Sequence, residues 1–168
     1  LISLGRRKIA FISGRPGTST SQDRMKGYLK ALENNYIPFN EDIVLEGDFS
    51  FTGGCEAANK IIKDNIEVNA IFAANDFMAL GAIDSLRRAG IKIPEEISVV
   101  GYDDIWVAKI YQPSLTTIRQ PIFEMCELAI NILLKEINKD ENTRLENIFR
   151  PELIVRESCS NLKEEVVG

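Results

Sequence analysis

The stretch Asn69–Asp104, NAIFAANDFMALGAIDSLRRAGIKIPEEISVVGYDD, constrains the fold more than any other part of the chain. It reads as a buried strand ending in Asn75 and Asp76, a helix closed by Gly90, and a second buried strand ending in Gly101, Tyr102, Asp103 and Asp104. The run AIFAA is apolar without alternation, as expected of a strand covered on both faces. The fold class this predicts is α/β, a Rossmann-like parallel sheet flanked by helices. An amide and several carboxylates then lie at one edge of that sheet. In parallel α/β sheets ligands bind in the crevice beyond the carboxyl ends of the strands, so the stretch predicts half of a small-molecule site.

Composition bounds the rest. A chain of 168 residues with 45% apolar content buries one sizeable core, and a net charge of −5 disfavours a phosphate-binding surface. The three cysteines, Cys55, Cys126 and Cys159, are far apart and odd in number, which argues against a disulfide framework or a zinc site. A reducing, cytoplasmic setting fits them best. No apolar run approaches the ~18 residues of a membrane span, so no membrane partner is expected.

From the start, LISLGRRKIAFISG reads as a helix tail stopped at Gly5 and a strand from Lys8 to Ser13. A helix from about Ser21, its expected N-cap, carries Met25, Tyr28, Leu29 and Leu32 on one face and places Arg24 in its first turn. A second strand is expected over Ile37 to Leu45, then a turn bearing Phe49 and a helix with Cys55, Ala58, Ile61 and Ile62. Asn75 is a natural helix cap and Asp76 suits the positive end of the helix dipole, both structural roles. Residues 105–114 show no clear period. LTTIRQP is extended, because the residue before Pro121 is steered away from helix. Pro121 then opens a helix to about Lys139 that is apolar on nearly every side and so needs cover beyond this small sheet.

Catalytic chemistry is poorly represented. There is no histidine, no phosphate-binding glycine loop, no nucleophile elbow and no paired cysteines, so catalysis, a metal and a cofactor are not expected. Asp103 and Asp104 are adjacent at a strand end and are expected to point in opposite directions rather than share a proton or a cation. What converges at strand-to-helix turns is Arg24, Phe49, Asn75 and Asp103. A fork of donors, a carboxylate, an amide and a flat apolar wall suit a polyhydroxylated small molecule.

The segments TSTSQDRMKGYLKAL, AIFAANDFMALGAIDSLRRAGIKIPEEISVVGYDDI and PSLTTIRQP, in this order and spacing, resemble the effector-binding core of the LacI/GalR family of bacterial transcriptional regulators. The resemblance covers nearly the whole chain and implies the type I periplasmic-binding-protein fold, two Rossmann-like subdomains hinged around a ligand. It implies that residues 1–120 form the C-terminal effector-binding subdomain short of its first strand. Residues 121–139 become a crossover helix packing in the N-terminal subdomain, 147–158 a final strand returning to the sheet, and 159–168 a loose tail. It makes Arg24 the clamp on effector hydroxyls, Asp103 the opposing carboxylate, Asn75 the amide beside them and Phe49 the aromatic wall. Thr20 and Gln120 match positions lining the pocket or hinge, and Leu80 and Tyr111 match dimer surfaces. The implied partners are a small-molecule effector, a sugar by preference, a second copy in a homodimer, and operator DNA through a helix-turn-helix not contained in these residues. Two other readings compete: a periplasmic sugar-binding protein of a transporter, and an enzyme on a doubly wound sheet.

Overall fold

In the computed structural model, which describes residues 1–138 and 148–162, four short strands run parallel in one sheet. They are β1 (Ile9–Ile12), β2 (Val44–Leu45), β3 (Ala70–Ala73) and β4 (Ser98–Val100), in the order β2-β1-β3-β4. Register runs from Ile9 opposite Ala70 to Ile12 opposite Ala73, and from Ala70 opposite Ser98 to Phe72 opposite Val100. The connecting helices are α1 (Ser19–Asn34), α2 (Phe51–Lys63) and α3 (Asp76–Arg88). Ala10, Phe11, Ile12, Ala70, Ile71 and Ala73 are sealed from solvent, which explains why the central strands carry apolar residues without alternation.

The element boundaries follow local capping, and those of α1 and β2 differ from expectation for that reason. α1 starts at Ser19 because Thr18, not Ser21, is its cap; the Thr18 hydroxyl accepts from the Ser21 N–H, while the Ser21 hydroxyl donates to the Gly14 carbonyl. Arg24 therefore sits in the second turn. The expected strand from Ile37 shrinks to Val44–Leu45, because the Asn40 side chain accepts from the Asp42 N–H and winds Glu41–Ile43 into a 3-10 turn. Ser50 and Asn75 cap α2 and α3 by accepting from Gly53 and Met78.

α2 and α3 pack backbone to backbone. A Cβ added at Gly54 would lie 2.1 Å from the Met78 carbonyl oxygen, and one at Gly81 would lie 2.0 Å from that of Phe51. Glycine is required at both places by the closeness of the helices.

Beyond β4 the chain forms a short helix, α4 (Trp106–Ile110), then β5 (Thr117–Arg119), α5 (Ile122–Ile137) and β6 (Glu152–Ile154). β6 is shorter than the final strand expected, and it pairs antiparallel with β5 in a separate ribbon instead of joining the main sheet. Pro151, with no N–H to give a ladder, stands immediately before it. Ser158, four residues past the end of β6, is what reaches the main sheet. The Val99 N–H donates to the Ser158 carbonyl at 2.8 Å, and the Ser158 hydroxyl to the Val99 carbonyl at 2.6 Å.

The tail is not loose over residues 159–162; its remainder, and Lys139 at the expected helix end, lie outside the described residues. Arg6 is the reason. Its guanidinium is fully buried and donates to the carbonyl oxygens of Asn69, Pro94, Glu95, Glu96 and Ser160 at 2.7–3.3 Å. Among the described residues five carbonyl dipoles and no carboxylate hold this cation, and burial lowers its pKa from the ordinary value. In α5 no residue is buried, and Phe123, Leu133 and Ile137 are 90%, 60% and 73% exposed.

Candidate functional site

The strand order reverses direction at β1, with β2 on one side and β3 on the other, and the crevice at such a switch point is where an open parallel sheet receives a ligand. Arg24 reaches it from α1. One terminal nitrogen donates to the Ala74 carbonyl at the end of β3, the other to Asp103 Oδ1 at 3.1 Å. The guanidinium carbon lies 4.0 Å from the centre of the Tyr102 ring and 6.0 Å from that of Phe49, so the planar cation is stacked as well as hydrogen-bonded. Only 11% of the Arg24 side chain is exposed. Gln120 Nε2 donates to the same Asp103 oxygen at 2.7 Å. Both bonds converge on Oδ1; among the described residues Oδ2 carries none and is available to a ligand hydroxyl.

The two aspartates part as expected. Asp103 and Asp104 have φ of 115° and 56°, a left-handed pair that costs a non-glycine residue about 1–3 kcal/mol each unless tied in place. Burial raises the pKa of Asp103, against the opposing pull of Arg24 and Gln120. Burial also works to raise Asp104, but Arg156 and Arg119 together hold it below the ordinary value. Asp76 is sealed beneath them, accepting from the Thr117 hydroxyl at 2.5 Å and from the Ile105 N–H at 2.9 Å. Burial pushes its pKa up to about 6.

Of the residues expected to form a site, Arg24, Asp103 and Gln120 are in direct contact, and Phe49 stands behind Arg24. The Phe49 ring lies against Gly14, where a Cβ would meet it at 1.9 Å, and its backbone is left-handed with φ of 70°. Asn75 maintains that turn by donating from Nδ2 to the Phe49 carbonyl at 2.9 Å while its Oδ1 caps α3. Both ends of the amide are thus engaged, so Asn75 meets a ligand only through its second N–H or second lone pair. Thr20, Arg24 and Gln120 line a cleft of about 1120 Å³ that extends along α1 to Ile9, Phe72 and Val100.

Tyr102 is a residue that the sequence pattern gives no part. Its place within GYDD, one residue before Asp103, is the available signal, but the partner it stacks on is far away in the chain. Leu80, expected at a dimer surface, is 2% exposed, its side chain packed in the chain's own core. Tyr111 is half-buried. Among the described residues there is no cluster of side chains able to hold a metal and no helix long and apolar enough to cross a membrane.

Residues 1–159 match the family described as periplasmic binding protein-like domain. The HTH-type transcriptional repressor PurR of Haemophilus influenzae is 39% identical over 165 residues, covering 96% of this chain and 49% of the relative. This chain spans about half the length of the curated relatives it matches. A LacI family transcriptional regulator from Enterococcus faecium with bound ribose superposes with a TM-score of 0.89 at 33% identity, covering 97% of this chain and 60% of that one. The lac repressor dimer bound to operator and an anti-inducer superposes with a TM-score of 0.87 at 29% identity, covering 95% and 55%. These relatives are transcriptional repressors and regulators by name, not enzymes. The chain belongs to the periplasmic binding protein-like domain family, as an effector-binding domain of the LacI/GalR type.

Proposed function

We propose that this chain is the effector-sensing part of a cytoplasmic LacI-type transcriptional regulator, and that its effector is a neutral polyhydroxylated molecule, a sugar by preference, held between Arg24 and Asp103. The observation that carries the reading is the stacked, doubly bonded Arg24 guanidinium facing a carboxylate with one uncommitted oxygen, at the switch point of the sheet. Arg24 donates to hydroxyl oxygens, Asp103 accepts from hydroxyl protons, and Phe49 and Tyr102 offer apolar faces to ring carbons. Thr20 and Gln120 line one cleft with Arg24 and Tyr102, and Asn75 supports the turn that carries Phe49. The charges of Arg24 and Asp103 balance, which favours a neutral ligand over an anion.

Effector binding then acts on operator DNA through a DNA-binding head outside these residues, in a homodimer whose interface includes Tyr111. Such action requires the effector to bind the two states of the whole regulator with different affinity. A thermal-shift screen of the full-length protein against neutral sugars, with ribose and cellobiose first, tests the reading. A sugar that raises Tm in the wild type, and no longer does so in Arg24→Ala and Asp103→Ala proteins of native circular dichroism, is the expected outcome. Unchanged shifts in both variants would refute the assignment.

A further inference from the structure

One carboxylate next to the site grips β5 and the chain just beyond β6. Asp104 Oδ2 accepts from Arg119 Nε at 2.6 Å, and Oδ1 accepts from an Arg156 terminal nitrogen at 2.5 Å. Arg119 is the last residue of β5, and Arg156 lies just beyond β6. Arg156 is pinned in turn by donating to the Leu115 carbonyl at 2.7 Å. The side chains of Asp104 and Arg156 are 8% and 12% exposed, so most of this clamp is shielded from water and competes little with solvent.

The carboxylate on the other side of the same peptide unit faces Arg24. Asp103 and Asp104 are successive non-glycine residues in the left-handed region, a conformation that persists only while its surroundings hold it. A change in how Asp103 is held is therefore passed to Asp104 through the backbone they share. The ribbon they touch leads directly into α5: Arg119 ends β5, Gln120 comes next, and the helix starts at Ile122. The contacts Arg24 to Asp103, Asp104 to Arg119 and Asp104 to Arg156 form an unbroken physical path from the crevice to that helix.

We infer that Asp104 is a positioning residue that couples the state of the Arg24–Asp103 site to the β5–β6 ribbon and so to α5. The inference rests on the proposed function only in taking Asp103 as the carboxylate that faces the ligand. Its test needs no ligand. Arg24→Ala removes the partner of Asp103 on the crevice side while the Asp103 N–H keeps its bond to the Ile118 carbonyl of β5 at 2.8 Å, and amide hydrogen exchange of β5 and β6 in the full-length protein reads the response, with β1 amides as reference. Arg24→Ala is expected to speed ribbon exchange roughly tenfold in the wild-type background, and by a severalfold smaller factor in an Asp104→Asn background, where only the direct bond from the Asp103 N–H to the Ile118 carbonyl links site and ribbon. A clamp that is only structural would let Asp104→Asn loosen the ribbon but leave the Arg24→Ala factor the same in both backgrounds. That additivity would overturn the coupling, as would absence of any Arg24→Ala effect in the wild type. If Asp104→Asn does not fold, Arg119→Gln cuts the clamp at its half-exposed end and is expected to reduce the Arg24→Ala factor severalfold; an undiminished factor would be equally fatal. A failed sugar screen would bear on the proposed function and leave this result standing, whereas additive exchange would sink the coupling and leave Arg24 as a binding residue.

Discussion

Arg24 makes three kinds of contact at once, and lysine can reproduce only the charge. A single ammonium cannot donate to Ala74 and Asp103 while lying flat on Tyr102. Arg24→Lys is therefore expected to weaken binding of any sugar found in the thermal screen by roughly 10–100-fold, about one charge-assisted hydrogen bond, and to lower Tm of the free protein as well, because a bond of a mostly buried side chain is lost; titration calorimetry and a melting curve check the two halves. Asp76 gives a pH prediction of definite sign. Its pKa in the fold is about 6, above the ordinary carboxylate value, so the folded state binds its proton more tightly. The stabilisation is complete at pH values below the unfolded pKa and is lost as pH rises through about 6. Asp76→Asn does not titrate, so its Tm deficit relative to wild type is expected to shrink between pH 5 and pH 7. A deficit that grows over that range would contradict the burial of this carboxyl.

At the scale of elements, α2 and α3 approach too closely for side chains at Gly54 and Gly81. Alanine at either place forces the helices apart and is expected to cost about 1–3 kcal/mol, the usual penalty of overpacking, read as a lower denaturation midpoint with unchanged slope. α5 presents the opposite situation, a helix with apolar residues all round and none of them buried. Ile130, Leu133 and Leu134 are more than half exposed on it, which is stable in water only with cover from another subdomain or chain. The 168-residue chain alone is expected to self-associate through α5, and Leu133→Lys to shift it toward monomer in sedimentation velocity. Monomeric wild type at high concentration with α5 ordered would contradict this. Most element types are legible in the sequence because caps and apolar runs are local signals: Asn75 before α3, Gly5 after the first turn, Pro121 before α5. The start of α1 is displaced from its expected place because two hydroxyls in TSTS compete for one cap, and Thr18 captures it.

For the molecule as a whole, what escapes the sequence are contacts between residues far apart in it. Nothing near Arg6 announces that its guanidinium will collect carbonyls from residues 69, 94–96 and 160 and so fasten the tail. The Asp104 clamp likewise joins residues 104, 119 and 156. The Arg24–Asp103 pairing is reached by a different route. Strand ends locate the crevice in any parallel sheet, and the resemblance of GYDD and TTIRQP to one family supplies the partners. Tyr102 shows the limit of that route, since its stacking role is visible only once α1 lies over it.

We propose that Asp103 and Arg24 hold hydroxyl groups of a small neutral effector. Titration calorimetry of a screened sugar and of its deoxy analogues against full-length wild type and Asp103→Asn tests it most directly. One analogue is expected to lose roughly 10–100-fold in affinity against the wild type, as a buried polar contact left unpaired does, and to lose far less against Asp103→Asn. Equal losses against both proteins for every analogue would rule out Asp103 as the partner of an effector hydroxyl.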